Sequence, residues 1–554
     1  MREAGLRAEI MLRALTAAAM WSSGLAAALA SGPPIVTAGD QSGSCKGVKA
    51  IASQTASRAD PATARSGDPE GAAGAGSTGG GPFYRLAAAK DCEECSVRAH
   101  ETQGMSRFQL AQFQLPQSAP QSTTEGGISP KYPYRPLTQH LQYQYAIGSE
   151  SEIDYRRNRD LNSAVKDNSL IVVPQVNGYI VYRPTNWLAG TLELTFDKEF
   201  AVQEEHRVTL PSGEIQFAPS RRPSLLVDQA FLTIREVTGP FELNVGRRNY
   251  EDERHWLYDT SMDIGGAQLR LGHFRAEATA GREVAWDLDL LRNQPRDRIN
   301  TYMLYADYRG IEDLKLAAYT VRRNDLGKSE GRPLHIGARV LGTPSDYFNY
   351  WAELALVRGM DESSRRFSAH GFDVGFTYRF AVPPLNPSIT LGYAFGTGDD
   401  NPDDGSNHEF RQTGLQTNEE KFAGVSKFKY YGEALDPELS NLKILTIGVG
   451  FRPARNVTVD LVYHRYRSHK LAAELRNSAL TALMNQDEAR PSKDVGSALD
   501  IVIGIRRLFG IRRLGVDLRA GWFFPGDAFR ILGGDPGEPA FRPAKKGVGV
   551  VAKF

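Results

Sequence analysis

Residues 372–380 read Phe-Asp-Val-Gly-Phe-Thr-Tyr-Arg-Phe, and every second side chain in this stretch is apolar. The apolar row runs from Phe372 to Phe380, and the alternate row from Asp373 to Arg379 is polar or small. Because neighbouring side chains on a β-strand point to opposite faces, this spacing predicts a strand with one apolar face. The same alternation recurs at 389–396, 445–452 and 514–522, so we expect an all-β protein.

The connections between these segments alternate between short and long. Towards the C-terminus, residues 453–456 and the turn around Gly510 are short, whereas 468–496 and 524–546 are long. Tight turns at one end and extended loops at the other are typical of antiparallel transmembrane barrels of the outer membrane. An even strand number places both ends of such a barrel on the periplasmic side. The pattern predicts eighteen strands, at 140–150, 174–183, 190–198, 226–235, 240–248, 264–271, 274–283, 301–308, 314–321, 334–340, 349–357, 371–380, 388–396, 443–452, 457–467, 498–507, 514–523 and 547–554.

The composition excludes two other classes of protein. The 554 residues include 66 Lys and Arg against 65 Asp and Glu, a formal net charge of +1, and the mean hydropathy is −0.39. A helical membrane bundle requires several long apolar stretches, and only one stretch, near the N-terminus, approaches that length. A nucleic-acid-binding protein normally has a strong basic excess, which this chain lacks. We therefore expect no nucleic acid among its partners.

The N-terminal region differs from the rest of the chain. Arg2, Arg7 and Arg13 precede an apolar core, and Ala-Leu-Ala at 28–30 offers a cleavage site, so we expect residues 1–30 to be a signal peptide. The alternative is a single membrane anchor, which the Ser-Ser-Gly interruption at 22–24 disfavours. Residues 31–130 are rich in Ala, Gly, Ser and Pro, and predict a flexible periplasmic arm. The barrel is expected over 131–554, and its terminal Phe554 resembles an assembly signal of outer-membrane barrels.

Patterns that could bind metal are weak, and we predict no cofactor and no catalytic residues. Cys92 and Cys95 have half the spacing of a zinc or redox motif, but a local disulfide or two inert thiols fits better because no second pair follows. The acidic stretch from Asp399 to Asp404 has oxygen ligands for Ca²⁺ but lacks EF-hand spacing, which favours a solvated outer loop. Leu471–Met484 has helical composition and lies in a long loop.

Eighteen strands leave a water-filled lumen unless something plugs it. An arginine facing lipid near the membrane midplane costs about 2 to 4 kcal/mol, so the charged side chains on the strands are expected to face inward. They can form mutually paired groups without specificity, or they can attract an anionic solute at many shallow sites. The expected inward set is Glu193, Arg275, Glu277, Glu283, Arg339, Glu353, Arg379, Arg452, Asp500, Arg506, Asp517 and Arg519.

Several blocks of sequence resemble one known family. Phe-Arg-Gln-Thr-Gly-Leu-Gln-Thr-Asn at 410–418, Tyr-Gly-Glu at 431–433 and Glu-Leu-Ser-Asn-Leu at 438–442 are similar to the alginate-export outer-membrane barrels of the AlgE type. Leu-Val-Tyr-His at 461–464 and Pro-Gly-Asp at 525–527 agree with this resemblance, which spans nearly all of the region after residue 140. The long block from 410 to 442 is specific to this family, whereas a short match such as Gly-Arg would be weak by itself.

The resemblance implies an eighteen-stranded barrel that exports a polyuronate through an Arg-rich lumen narrowed by loops. Residue by residue, it implies basic pore-lining candidates at Arg247 or Arg248, Lys427 and Arg519, and acidic partners at Asp259, Glu283 and Asp287. The chain departs from the family at three positions where basic residues are usual, namely Gln229, Glu419 and Asp517. A less positive constriction leaves the identity of the polymer open.

Passive export of an anionic exopolysaccharide, alginate or a similar polyuronate, is the leading functional hypothesis. The alternative is a general anion-selective porin for small solutes. An outer-membrane enzyme is disfavoured, because His464 has no evident Ser and acidic partners in the sequence. The expected partners are the acidic polysaccharide, outer-membrane lipid and periplasmic proteins of an export complex.

Overall fold

The computed structural model describes residues 135–136, 142–161, 169–204, 208–209, 215–216, 223–235, 239–286, 288–291, 298–327, 331–401, 403–487, 489–511, 514–530 and 547–553. The predicted signal peptide, the predicted arm with Cys92 and Cys95, and Phe554 lie outside the described residues.

The described residues form a sheet of 22 strands, eighteen of them long, and two separate two-stranded hairpins. Every segment that the alternating pattern predicted overlaps one of the eighteen long strands, so the predicted number and order are confirmed. The long strands are β1 (Gln142–Arg157), β2 (Ser169–Arg183), β3 (Leu188–Asp197), β4 (Ser224–Arg235), β5 (Phe241–Glu251), β6 (Asp259–Leu271), β7 (Phe274–Arg282), β8 (Ile299–Ile311), β9 (Leu314–Asp325), β10 (Arg332–Ser345), β11 (Phe348–Met360), β12 (Ala369–Arg379), β13 (Ser388–Gly396), β14 (Leu442–Ala454), β15 (Val457–Ser468), β16 (Asp494–Arg506), β17 (Gly515–Pro525) and β18 (Gly547–Lys553).

Each long strand pairs antiparallel with the next one along the chain. The last strand also pairs with the first, in a register that places Lys553 opposite Glu152. The pairing therefore forms a closed ring, in which every long strand has a neighbour on both sides. Because the ring is closed, no edge strand is left with unpaired backbone groups, and a sheet in lipid must have no such edge.

The turns at one end of the ring are tight. Residues 272–273 join β6 to β7, and residues 312–313 join β8 to β9. Gly272 has φ +56° and Asp313 has φ +57°, the left-handed conformation that two-residue hairpin turns require. The opposite end carries the long connections, and the largest of these that the structure describes runs from 397 to 441.

The two faces of the sheet are inverted relative to a soluble protein. Val374 and Leu445 point outward and are 38% and 42% exposed, whereas Asp373 and Asp500 point inward and are 3% and 0% exposed. An apolar outer face against a polar inner face is the pattern of a transmembrane barrel. The predicted division between apolar and charged faces is confirmed for these strands.

The connection 397–441, which we call the inserted loop, lies inside the ring. Its apolar side chains Phe410, Tyr431, Leu435 and Leu439 are at most 3% exposed. Within it, Glu419–Glu420 pairs with Phe428–Lys429, forming a hairpin whose tip is residues 421–427. At the tip, the Val425 carbonyl accepts from Arg506, close to the end of β16. The inserted loop thus passes from the long-loop end of the barrel towards the tight-turn end.

The helix expected from the composition of Leu471–Met484 does not form, so that prediction is wrong. Backbone groups of this segment bond to other parts of the chain instead: Ala479 N–H donates to the Leu435 carbonyl, and Thr481 N–H donates to the Arg159 carbonyl. Such contacts use the donors that a helix would direct to its own preceding turn. No helix in the described part of the chain is long and apolar enough to span a membrane.

Candidate functional site

The loop 252–258 between β5 and β6 also folds into the lumen, where it meets the inserted loop. Arg254 is 1% exposed, and its guanidinium contacts Asp373 on β12 at 3.1 Å and Glu420 on the inserted loop at 2.7 Å. The guanidinium lies 4.5 Å from the ring centre of Trp351 and 4.9 Å from that of Tyr430. A planar cation can pair with carboxylates and stack on rings at once, so Arg254 joins both loops to the wall.

A second buried arginine holds the loop 252–258 against the opposite strands. Arg339 on β10 contacts Asp252 and Glu353, each at 2.6 Å. Burial alone would raise the pKa of Asp252, but Arg339 and the N–H groups of Tyr258 and Leu257 lower it overall. Removing one partner of such a buried pair leaves an uncompensated charge, which costs about 3 to 5 kcal/mol.

Arg519, a predicted pore-lining residue, is buried under the inserted loop. Its guanidinium lies 3.5 Å from both Glu419 and Glu433. Burial raises the pKa of Glu433 to about 7; Arg519 opposes this rise, whereas Asp500 and Glu419 add to it. Arg519 therefore contacts loop carboxylates in this conformation.

Lys427 and Asp259, two further predicted site residues, meet at His255. The Asp259 carboxylate accepts from the Thr417 hydroxyl at 2.8 Å and lies 2.5 Å from His255 Nδ1. On the other side of the ring, Lys427 Nζ lies 3.1 Å from His255 Nε2. The structure thus brings Asp259 and Lys427 together through a histidine that the sequence did not single out.

Glu251, His255 and Asp259 are also the one group among the described residues whose ligand atoms lie close enough together, within 4.8 Å, to hold a metal ion. However, the Lys427 ammonium approaches Nε2, and Asp259 approaches Nδ1. A cation at either nitrogen would have to displace one of these neighbours. The arrangement fits a hydrogen-bonded chain better than a metal centre.

Arg247 and Arg248 point to opposite faces of β5. Arg247 contacts Asp263 at 3.2 Å and the Glu283 carbonyl at 2.6 Å, on the face opposite to Gln268 and Glu277. Arg248 points into the lumen, 3.9 Å from Glu277.

Glu283 and Asp287, the remaining acidic candidates, follow β7 in the chain. The Glu283 carboxylate accepts from Arg323 at 2.9 Å, and the same arginine donates to the Thr413 carbonyl of the inserted loop. Glu283 therefore supports an arginine that touches the inserted loop. Asp287 lies outside the described residues.

Two groups of lumen arginines differ in exposure. One group contacts the inserted loop or the loop 252–258 and has side chains at most 5% exposed, namely Arg254, Arg323, Arg339 and Arg519. Those on β4 to β8 have side chains 17% to 32% exposed, namely Arg235, Arg248, Arg270, Arg275 and Arg309. Arg235, Arg270 and Arg309 were not among the predicted residues, although they share the inner face with Arg275 by strand alternation.

Comparison with known proteins identifies the family. The family model described as alginate export matches residues 135–541. This chain belongs to the alginate export family. Two relatives named alginate production protein AlgE are similar to it: the one from Azotobacter vinelandii is 24% identical over 382 residues, 58% of this chain and 76% of the relative. The one from Pseudomonas aeruginosa is 25% identical over 383 residues, 58% of this chain and 75% of the relative.

Among solved structures, Pseudomonas aeruginosa OccK11 (OpdR) is similar with a TM-score of 0.45 and 12% identity, covering 74% of this chain and 95% of that one. The predicted resemblance is confirmed by the family match. The alginate-export barrel described here is an outer-membrane channel, and its family is one of export channels rather than enzymes.

The positions that depart from the alginate export family each have a polar partner. Gln229 donates to Glu193, Glu419 contacts Arg519, and Asp517 accepts from Arg506 at 2.5 Å. In the acidic stretch that was considered for Ca²⁺, Asp399 contacts Arg365 at 3.1 Å and Asp400 contacts Lys470 at 2.6 Å.

Proposed function

We propose that this channel passively exports alginate or a closely similar polyuronate, and that the polymer passes along the inner wall formed by β4 to β8. The accessible arginines of that wall carry the proposal. The opposite wall, β10 to β17, is covered by the inserted loop, whose side chains occupy the space in front of it. A polyanion would therefore meet cations on one side of the lumen.

These arginines suit transient contacts because each has a carboxylate nearby. Arg275 contacts Glu277 at 2.7 Å, and Arg235 contacts Glu242 at 3.2 Å. A uronate carboxylate has to compete with these internal partners, so each contact is shallow. Conduction requires many weak sites rather than one deep one, since a deep site retains the solute.

Four of these arginines lie near the tight-turn end of the barrel. Arg235 ends β4, while Arg270, Arg275 and Arg309 each lie within two residues of a strand end. If this end faces the periplasm, as in other barrels of this type, the cations meet the polymer where it enters. Polymer synthesis would then supply direction, and outer-membrane lipid and periplasmic proteins are the proposed partners.

The test is single-channel recording in planar bilayers, with oligouronates and neutral oligosaccharides of matched length added on the tight-turn side. We expect oligouronates to block the wild-type channel at lower concentration than the neutral sugars. Arg275→Gln should raise the blocking concentration of the oligouronate about fivefold, an estimate for one unit charge acting through partly screened solvent. Arg465→Gln is the matched control, because Arg465 is an exposed arginine on the outer face of β15. Equal block by both sugars in all three channels would contradict the proposal.

A general anion-selective porin is the second candidate, and it predicts a different result. Such a channel would pass chloride and small organic anions without interruption by long oligouronates. Block that deepens with the length of the uronate chain favours polymer export, because a longer chain bridges more of the shallow sites.

A further inference from the structure

His255 couples a proton-binding site to a cation in the lumen. It belongs to the loop 252–258 and is 5% exposed. Its Nε2 lies 3.1 Å from Lys427 Nζ, at the hairpin tip of the inserted loop, and its Nδ1 lies 2.5 Å from Asp259. Among the described residues, His255 is the one side-chain hydrogen-bond partner of the Lys427 ammonium.

The chemistry of this contact restricts the protonation of the ring. An ammonium group only donates hydrogen bonds, so it needs a lone pair on Nε2. The ring proton must then be on Nδ1, where it is donated to Asp259. A second proton on the ring would place an N–H group against the ammonium, with two positive charges 3.1 Å apart.

We propose that His255 is the positioning residue for Lys427, and that protonation of His255 releases the Lys427 ammonium and makes the anion preference of the channel depend on pH. The inference rests on the proposed function only in that Lys427 lies beside the transport path.

The charged groups around His255 fix the direction of the effect. The Asp259 carboxylate lies against Nδ1, Glu251 lies 3.8 Å from Nε2, and Asp252 also acts electrostatically on the ring. Lys427 in turn interacts with the charge of Lys421. Burial by itself lowers the pKa of His255, Asp259 raises it and Lys427 lowers it, with a net rise above the usual 6.5. As the pH falls, the ring is therefore expected to gain its second proton at a higher pH than a solvent-exposed histidine does.

Protonation then acts on anions in two ways. It adds one positive charge beside the lumen, and it breaks the hydrogen bond that holds Lys427. Both changes favour anions over cations. One added charge that acts through partly screened solvent is expected to change the chloride-to-potassium permeability ratio about fivefold.

The experiment is the reversal potential of the full-length channel under a KCl gradient, from pH 5.5 to pH 8.5. The wild type should become more anion-selective as the pH falls. His255→Gln keeps a polar side chain that can accept from Lys427 but does not titrate, so its change in selectivity with pH should be smaller than that of the wild type. His408→Gln is the matched control, because His408 is exposed in the first part of the inserted loop and its one side-chain hydrogen bond within the described part of the chain is to the Ser368 carbonyl. Heat-modifiable migration on gels checks that each variant is folded.

Lys427→Met gives an independent readout. Because the Lys427 charge lowers the pKa of His255, its removal should move the midpoint of the remaining step to higher pH. Three outcomes overturn the inference: a wild-type profile without a step, a step of undiminished size in His255→Gln, or an unmoved midpoint in Lys427→Met. Failure of oligouronate block in the same channels would overturn polymer export instead, since the KCl measurement contains no polymer.

Discussion

The Tyr431 hydroxyl of the inserted loop donates to Asp373 on β12 at 2.9 Å. The same carboxylate accepts from Trp351 Nε1 at 2.8 Å and from Arg254 at 3.1 Å. One wall residue thus receives hydrogen bonds from the wall itself, from the inserted loop and from the loop 252–258. Asp373 is thus one point at which both inserted segments are fixed to the barrel.

Asp373→Ala should therefore destabilise the barrel and loosen the inserted loop. The change leaves Arg254 short of a partner and two other buried donors unsatisfied, for an expected loss of about 3 to 5 kcal/mol. The measurement is the thermal midpoint of unfolding by gel mobility, combined with proteolysis of the inserted loop. Asp403→Asn, in the exposed part of the same loop, is the control. Equal midpoints for the two variants would contradict the role of Asp373.

The wall that the inserted loop covers depends on small residues for the close approach of the loop. A Cβ added at Gly521 would lie 2.7 Å from Ala434 N and 3.0 Å from Glu433 Cβ, both on the inserted loop. Gly521→Ala should thus push the loop from the wall, raising its protease sensitivity and lowering the unfolding midpoint. Gly178→Ala is the control, because nothing lies within 4 Å of a Cβ at that position. Protease sensitivity equal to wild type in Gly521→Ala would show that the loop is not seated as described.

These contacts mark the limit of what the sequence predicts. Period-two alternation places all eighteen strands, because lipid outside and water inside impose opposite chemistry on the two faces of each strand. The path of the inserted loop is not encoded in such a pattern, since residues 397–441 read as an ordinary long loop. One signal was present: Gly448, Gly504 and Gly521 all fall on the inner face, where a row of absent side chains leaves room for another segment.

The candidate site residues also divide into those that the sequence identified and those that only the fold reveals. The resemblance led to Asp259, Lys427 and Arg519, and the structure places all three at the inserted loop. It did not lead to His255, because nothing local distinguishes that histidine until the loop 252–258 folds inward. Likewise, the neighbours Arg247 and Arg248 could not be separated without the strand register, which assigns only Arg248 to the face of Glu277.

Stability should depend on pH through Glu433. Its pKa of about 7 lies above the usual 4.5, so the folded state favours the protonated form. The contribution to stability is present at low pH and is lost as the pH rises through 7, because ionised Glu433 is buried beside Asp500 and Glu419. Glu433→Gln should consequently match the wild type at pH 5 and exceed its unfolding midpoint at pH 8. Glu474→Gln, exposed in the loop after β15, should follow the wild type at both pH values. A wild-type midpoint that rises from pH 5 to pH 8 as steeply as that of Glu433→Gln would contradict this assignment.

Two neighbouring positions test which face of the sheet meets lipid. Leu192 on β3 is 40% exposed on the outer face, and Gln229 on β4 points inward beside Glu193. The register places Leu192 opposite Ala230 and Glu193 opposite Gln229, so the two sites lie at similar depth. Leu192→Arg should cost about 2 to 4 kcal/mol if this depth is near the membrane midplane, because the charge faces hydrocarbon.

Gln229→Arg should instead fold normally, since the new cation meets the Glu193 carboxylate in water, and should increase anion selectivity. Refolding yield and urea midpoints in lipid vesicles measure the first effect, and reversal potentials measure the second. If Leu192→Arg were as stable as Gln229→Arg in vesicles, the outer face of β3 would not be in contact with lipid.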